Sequence, residues 1–330
     1  MKYVFGPVPS RRLGQSLGID TIPLKTCNWN CVYCQLGRSK PLHNERKDYY
    51  PLADMIAEIE KVLACIDPEE VDWISFVGSG EPTLHAGIGW LIQEVKKLTE
   101  IPVAVITNGS LLFLKSVRKA LAAADAVLPS LDAGTPQLYK KINRPHPDIS
   151  FQHLIGGLLA FRHQYQGQLW LEVMLVNGMN DTQEALEDIS RKITLIEPDK
   201  VHLGVPTRPP AEHWVKPPSD EGVMRATAIL GEKAKVIHPQ EGYFDLSRDD
   251  NIVEAIIGII TRHPISEEQL LRAIASFPDE QRIHIIDTLQ TSSKAQIVER
   301  FGQKFWCATP SFFPDTRNTK NSSTLMIHKE

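Results

Sequence analysis

Residues 27–34 read Cys-Asn-Trp-Asn-Cys-Val-Tyr-Cys, and this run is the most informative stretch of the 330-residue sequence. A Cys-x3-Cys-x2-Cys loop is able to wrap one face of an iron–sulfur cluster, with each thiolate binding one iron. Three protein ligands on a cluster of four irons leave one iron open. An open iron indicates chemistry at the cluster rather than electron storage alone.

Zinc binding and disulfide formation are the alternatives for this cysteine run. A structural zinc site is closed by four ligands, and the nearest extra ligand in the sequence is His43. Disulfides need an oxidising compartment, and pairing within the run would leave one of its three thiols unpaired. The spacing favours a cluster and leaves zinc open. Cys65 and Cys307 are isolated, and we expect both to be buried, unreactive thiols.

Composition narrows the class of protein. The formal net charge is −4, so the chain as a whole has no attraction to nucleic acid or anionic lipid. Apolar residues make up 42%, enough for a packed core, yet no apolar run is long enough to cross a bilayer. Five cysteines, three of them clustered, are typical of a reducing compartment. We therefore expect a cytoplasmic protein that makes no contact with membranes.

Between residues 16 and 205 the sequence alternates short apolar runs with longer amphipathic ones. Runs rich in Val, Ile and Leu suit parallel strands buried on both faces, and the intervening periodicity suits helices. Six such units predict an α/β fold, a partial (β/α)6 TIM-like barrel of parallel strands within a domain spanning 1–240. The cysteine run follows the first strand and so lies at the functional rim. The predicted strands are 17–22, 73–77, 103–107, 126–131, 169–176 and 200–205.

A second pattern follows a proline-rich break at 206–218. Residues 223–235 are expected to form a closing helix, and helices are predicted at 252–261, 266–275 and 278–289, with a hairpin at 297–306. Ser266 and Gln269 form a capping-box signature. These elements predict a small α+β winged-helix domain at 241–310 and a disordered tail at 311–330. Residues 251–310 carry six Lys or Arg and seven Asp or Glu, which gives little support for nucleic-acid binding.

The chain resembles a radical S-adenosylmethionine (radical SAM) enzyme over roughly residues 15–205. The strongest motif is the cysteine run, with an aromatic residue before its third cysteine. Four further motifs follow in the family's order, each after a predicted strand. They are Gly78-Ser79-Gly80-Glu81-Pro82, Thr107-Asn108-Gly109-Ser110, Ser130-Leu131-Asp132-Ala133 and Val176-Asn177-Gly178-Met179-Asn180-Asp181.

The resemblance implies two cofactors and one type of chemistry. Cys27, Cys31 and Cys34 would bind a [4Fe-4S] cluster, and S-adenosylmethionine would chelate the open iron. Reductive cleavage would then release methionine and a 5′-deoxyadenosyl radical that abstracts hydrogen from a substrate. The mechanism requires an external electron donor such as ferredoxin or flavodoxin, while the protein supplies orientation and excludes water.

The resemblance also assigns roles to residues near the cysteine run. The Gly80-Glu81 turn would contact the methionyl amino group. Tyr33 would support the adenine, or else shield the cluster. Asn108 would bond the cofactor or simply form a turn.

Three more residues belong to later strands. Ser130 and Asp132 would accept hydrogen bonds from the ribose hydroxyls, although Asp132 could instead cap the turn that follows. Glu172 interrupts an apolar strand, and burying a carboxylate there without a partner would cost several kcal/mol. It is expected to point into the barrel toward cofactor or substrate, or to pair with a lysine or arginine.

The substrate is the least defined part of the hypothesis. Residues 6–14 resemble the branch of Fe–S oxidoreductases related to the wyosine-forming tRNA enzymes, which suggests RNA base modification; peptide modification is the other option. Arg11, Arg12 and Arg208 could bind an anionic substrate group or form salt bridges. A different class of function is an Fe–S redox-sensing regulator whose winged helix binds nucleic acid.

Overall fold

An eight-stranded sheet forms the larger part of the protein. The computed structural model describes residues 2–238, 246, 251–311 and 313–314. In chain order along the sheet, the strands are β1 (Val4–Ser10), β2 (Gly14–Ile19), β3 (Trp73–Phe76), β4 (Val103–Thr107), β5 (Ala126–Pro129), β6 (Gln168–Met174), β7 (Lys200–Gly204) and β8 (Ala234–Val236). β1 pairs with β2 in antiparallel fashion. From β2 onward, each strand pairs with the next one in parallel fashion, as far as β8.

Helices connect successive parallel strands. They are α1 (Leu52–Leu63), α2 (Ile88–Leu98), α3 (Lys115–Leu121), α4 (Pro136–Ile142), α5 (Phe151–Gln164), α6 (Gln183–Ile196) and α7 (Asp220–Leu230). α1 buries Met55, Ile59 and Val62, which recur on one face of the helix, and each such side chain contributes about 1.5–3 kcal/mol on burial. Strands and helices alternate along the chain, and the sheet ends at β1 on one side and at β8 on the other. This arrangement is a partial TIM-like barrel. None of the helices among the described residues combines the length and apolarity that crossing a membrane requires.

All six predicted strands are present, and two more join them. The first of the predicted strands, at 17–22, corresponds to β2 and ends at Ile19 rather than at residue 22. The chain turns there because the Asp20 side chain accepts a hydrogen bond from Ile22 N (3.5 Å).

The prediction of one helix over 223–235 is wrong after residue 230. Gly231 has a positive φ of 85° and ends α7, which frees the next residues to form β8 beside β7.

The C-terminal region contains three helices and a second sheet. Its elements are α8 (Ile252–Arg262), β9 (Ile265–Ser266), α9 (Glu267–Ala273), α10 (Asp279–Thr291), β10 (Ala295–Arg300) and β11 (Gln303–Ala308). The sheet is antiparallel in the order β10-β11-β9. Ser266 and Gln269 form the predicted capping box. The winged-helix assignment and the domain boundaries at 240 and 310 stay predictions, and residues 239–245 lie outside the described part.

Two smaller predictions need correction. Cys65 is exposed, because α1 ends two residues before it and leaves it on the surface, whereas Cys307 is buried as predicted. Most of the tail predicted at 311–330 lies outside the described residues. At its start, however, Ser311 and Phe313 are buried, and Phe313 packs against Phe305 of the hairpin.

A buried ion pair joins the C-terminal helices to the barrel. Arg262, at the end of α8, donates from Nε to Asp20 Oδ2 (2.9 Å) and from Nη2 to the Lys2 carbonyl (2.8 Å). Ser79 Oγ donates to the same Asp20 oxygen (2.6 Å). Phe5 of β1 packs in one apolar cluster with Ile256 and Ile260 of α8. The two parts of the chain therefore share a polar and an apolar contact.

Substitution of Arg262 with alanine is expected to destabilise the protein by about 3–5 kcal/mol, because Asp20 would stay buried without its counter-charge. Urea unfolding followed by circular dichroism measures the change. Arg272→Ala is the matched control, since Arg272 pairs with Glu268 on an exposed helix face. Equal unfolding midpoints for the two variants would show that the buried pair contributes nothing to stability.

Candidate active site

The cysteine loop, residues 27–34, follows β2 at the edge of the sheet where the parallel strands end. Main-chain hydrogen bonds fix it to the turn after α4. Val32 N donates to Ile142 O (2.9 Å), and Asn30 N donates to Asn143 O (3.0 Å). Three thiols are thus presented on a backbone that is held by the barrel rather than by the loop alone.

Each of the three thiols has an N–H donor directed at its sulfur. Such contacts stabilise thiolates and tune the reduction potential of an iron–sulfur cluster. The donors are Trp29 N on Cys27 Sγ (3.4 Å), Asn143 Nδ2 on Cys31 Sγ (3.7 Å) and Lys25 Nζ on Cys34 Sγ (3.4 Å), and Asn108 Nδ2 is a second donor to Cys27 Sγ (3.8 Å).

The electrostatics of these cysteines suit a metal cluster. Burial raises the pKa of Cys27 to about 12 and the pKa of Cys31 well above its ordinary value, so their thiolates form when bound cations compensate the buried charge. Within the described residues, no three His, Cys, Asp or Glu side chains surround a single metal ion. In an iron–sulfur cluster each thiolate binds a different iron, so the three sulfur atoms need not point at one position. The residues therefore fit an iron–sulfur cluster, which Cys27, Cys31 and Cys34 would hold.

Glu81 is buried beside the Cys27 end of the loop, and its carboxylate is engaged by the chain itself. Oε1 accepts hydrogen bonds from Thr83 N (3.0 Å) and Thr107 Oγ1 (2.6 Å), and Oε2 accepts one from Asn108 N (2.7 Å). Burial raises the Glu81 pKa, and these hydrogen bonds oppose the shift. Asn108 Nδ2 donates to Asn28 Oδ1 (2.8 Å). Glu81 thereby links the end of β4 to the cysteine loop.

Gly80 packs closely against the backbone just before the cysteine loop. A Cβ atom at this position would lie 2.0 Å from the carbonyl oxygen of Thr26, the residue before Cys27. The next residue, Glu81, donates its N–H to the same oxygen (2.9 Å). The glycine is therefore required by the packing of the loop after β3 against the cysteine loop.

Asp132 and Tyr33 meet beside the Cys31 end of the loop. Asp132 Oδ2 accepts hydrogen bonds from Tyr33 OH and from Asn143 Nδ2 (2.6 Å), and Oδ1 accepts one from Met174 N (2.8 Å). Burial raises the pKa of Asp132, and burial together with the Asp132 charge raises the pKa of Tyr33. A ribose hydroxyl at Asp132 would have to share or replace one of these three donors.

A cavity of about 100 Å³ opens next to Tyr33 and Asp132. Glu172 lies on its wall and forms an ion pair with Arg12, which is the alternative that the sequence left open for this carboxylate. Burial, together with the charge of Arg12, lowers the pKa of His202 to about 4, so its ring is neutral. The lining residues are Arg12, Tyr33, Ser130, Asp132, Glu172, Val173, Met174, His202, Gly204 and Ile237.

The candidate residues thus fall into two groups on either side of the cysteine loop. Gly80, Glu81 and Asn108 lie on the Cys27 side. The residues of the second group share the cavity near Cys31; they are Tyr33, Ser130, Asp132 and Glu172. Polar groups around a small cavity next to three thiols are able to bind and orient a compact charged molecule.

Comparison with known proteins identifies the family. The family model described as the radical SAM superfamily matches residues 21–191. A UPF0026 protein of Methanocaldococcus jannaschii is 36% identical over 273 residues, 81% of this chain and 84% of that protein. The chain belongs to the radical SAM superfamily.

Two further similarities add to this assignment. A protein named GTPase Obg from Brachyspira hyodysenteriae is 38% identical over 299 residues, 89% of this chain, which spans only 43% of that protein's length. A solved radical SAM methyltransferase from Sphaerobacter thermophilus has a TM-score of 0.51 at 18% identity, covering 67% of this chain and 65% of that one. The latter shows that the radical SAM fold is shared.

Asn143, Asn28 and Lys25 belong to this candidate site but are not predicted from the sequence. Asn143 connects Asp132 to Cys31, but an asparagine at the end of a helix is typical of a cap and gave no other signal. Asn28 connects Asn108 to Ser110 Oγ (2.9 Å). The position of Asn28 between two cysteines could have indicated its role, because a polar side chain buried there needs hydrogen-bond partners.

Proposed function

We propose that the protein is a radical SAM enzyme that holds a [4Fe-4S] cluster on Cys27, Cys31 and Cys34 and cleaves S-adenosylmethionine reductively. The bound cluster would supply one electron to a carbon–sulfur bond, giving methionine and a 5′-deoxyadenosyl radical that takes a hydrogen atom from the substrate. The observation that carries the proposal is the set of three thiols, each with an N–H donor at its sulfur, near a cavity lined by Tyr33, Ser130 and Asp132.

The chain's own residues bind and position the reactants. Asn108 and Glu81 keep the loops around Cys27 in register. Ser130 makes no side-chain hydrogen bond to any described residue and faces the cavity, so its hydroxyl is free to bind a ribose hydroxyl. Asp132 would accept the second hydroxyl by exchanging one of its present donors. The surrounding apolar residues exclude water from the radical.

We further propose the setting of the reaction. A ferredoxin or flavodoxin would deliver the electron in the cytoplasm, where five free cysteines would stay reduced. The substrate would be an RNA base or a peptide. The C-terminal helices and hairpin would form the winged-helix domain and help to dock that substrate, which their direct contact with the barrel through Arg262 supports.

The test is to mix anaerobically reconstituted protein with dithionite and S-adenosylmethionine and to quantify 5′-deoxyadenosine by mass spectrometry. The nucleoside is expected to form only when reductant is present. A protein that contains intact cluster but forms no 5′-deoxyadenosine would contradict the enzyme hypothesis. A protein that binds zinc in place of iron would contradict the cluster itself.

A further inference from the structure

Three arginines gather beside the cavity. Arg11 and Arg12 lie in the turn between β1 and β2, and Arg208 follows β7. All three are partly buried, and Arg12 lines the cavity with Ser130. Burial and the like charges of the neighbouring guanidiniums lower the pKa of Arg12 to about 9 and that of Arg208 to about 10. Arg11 and Arg12 are adjacent in the chain, and Arg11 Nη1 reaches Thr207, the residue before Arg208 (3.5 Å), so the three arginines belong to one region.

Among the residues that the structure describes, only Arg12 of these three arginines has a carboxylate partner. Arg12 pairs with Glu172. Arg11 Nη1 donates to Thr207 Oγ1 (3.5 Å), and Arg208 Nη1 donates to Gln35 Oε1 (3.0 Å), both of them neutral groups. In the part of the chain that the structure describes, no Asp or Glu lies within ion-pair distance of Arg11 or Arg208. Within residues 2–238 and 251–311, the two guanidinium charges therefore have no counter-charge, which a bound ligand would be able to supply.

The C-terminal helices form one wall of this cluster. Gln35, directly after Cys34, donates from Nε2 to the Arg262 carbonyl (3.0 Å) and lies 3.2 Å from His263 Nδ1. Burial and the arginine charges hold the pKa of His263 well below its ordinary value, so its ring stays neutral. The uncompensated charge thus lies between the cysteine loop and the end of α8.

We propose that Arg11 and Arg208 bind a phosphate group of the substrate next to the cavity. This inference rests on the proposed radical SAM function, since it concerns the substrate of that site. A phosphate monoester carries close to two negative charges at neutral pH, which matches the two unpaired guanidiniums, and guanidinium forks suit phosphate oxygens. A nucleotide carries such a group and an unmodified peptide does not. The charge balance therefore favours a nucleotide with a phosphate monoester, because a phosphodiester within RNA carries only one negative charge.

The experiment measures binding of inorganic phosphate to the reconstituted protein by isothermal titration calorimetry at constant ionic strength. Arg11→Gln and Arg208→Gln are each expected to weaken the Kd for phosphate roughly tenfold or more, because each loses a charge-assisted hydrogen bond. Arg191→Gln is the matched control, since Arg191 lies exposed on α6 and pairs with Asp188; it is expected to bind phosphate like the wild type. Thermal melting and iron content verify that each variant folds, and either arginine variant alone decides the question.

Competition binding experiments identify which kind of molecule supplies the bound phosphate group. AMP presents a phosphate monoester, and a short oligoribonucleotide without a terminal phosphate presents only the RNA backbone; the stronger competitor shows which one binds. A wild-type protein that binds no phosphate, or arginine variants that bind it as tightly as the wild type, would overturn the subsite. Formation of 5′-deoxyadenosine by the wild type is measured in parallel, because its absence would overturn the radical SAM function and leave the phosphate result standing.

Discussion

Substitution of Cys31 with alanine is expected to reduce bound iron from about four atoms per chain to less than about one and to abolish 5′-deoxyadenosine formation. Cys31 occupies the middle of the cysteine loop, where Asn143 donates to its sulfur. Two remaining thiols would leave two irons of the cluster without protein ligands. Iron and sulfide analysis after anaerobic reconstitution measures the first effect, and mass spectrometry of the reaction mixture measures the second.

The control for this prediction is Cys65→Ala. Cys65 is an exposed thiol beyond the end of α1, so its loss is expected to change neither iron content nor product formation. The pair of variants separates a specific ligand from a general loss of thiols. Retention of iron and activity in the Cys31 variant would remove the basis for the cluster, and so would a loss of the same size in the Cys65 variant.

Local patterns predicted a large part of this architecture. Continuous apolar runs such as 103–107 gave the buried parallel strands, because both faces of such a strand are covered. The capping box at Ser266 was visible because its two residues are three positions apart. β8 was missed because three residues, Ala234–Val236, are too few to show a strand pattern next to the helical periodicity of α7.

Local sequence patterns did not predict the partners of the buried charges. Glu172 was recognised as an unusual carboxylate in a strand, yet its partner, Arg12, lies 160 positions earlier in the chain. Ser79 belongs to the Gly78-Ser79-Gly80-Glu81-Pro82 motif, and no neighbouring residue in the sequence indicated its partner. The structure gives it a partner in Asp20, which is paired with Arg262, 242 residues away. Only the fold brings such groups together, so the sequence predicted candidate site residues but not how they are joined.

Substitution of Gly80 with alanine is expected to destabilise the protein by about 3 kcal/mol or more and to reduce iron content, although Gly80 contributes no ligand atom. The new Cβ would meet the Thr26 carbonyl at 2.0 Å, and that oxygen belongs to the backbone and cannot rotate away. The hydrogen bond from Glu81 N to the same carbonyl would be lost as the two loops separate. Cys27 follows Thr26 directly, so its thiol would be displaced. Urea unfolding and iron analysis of the reconstituted variant measure the two effects.

Gly156→Ala is the matched control, because it makes the same chemical change where there is space. Gly156 is exposed on α5, and beyond its chain neighbours and the backbone of its own helix no described atom lies within 4 Å of the position that its Cβ would take. Alanine is the better helix former, so this variant is expected to gain about 0.5–1 kcal/mol and to bind iron like the wild type. If Gly80→Ala also keeps its stability and full iron content, the close approach of these two loops does not position Cys27, and the role assigned to Gly80 is wrong.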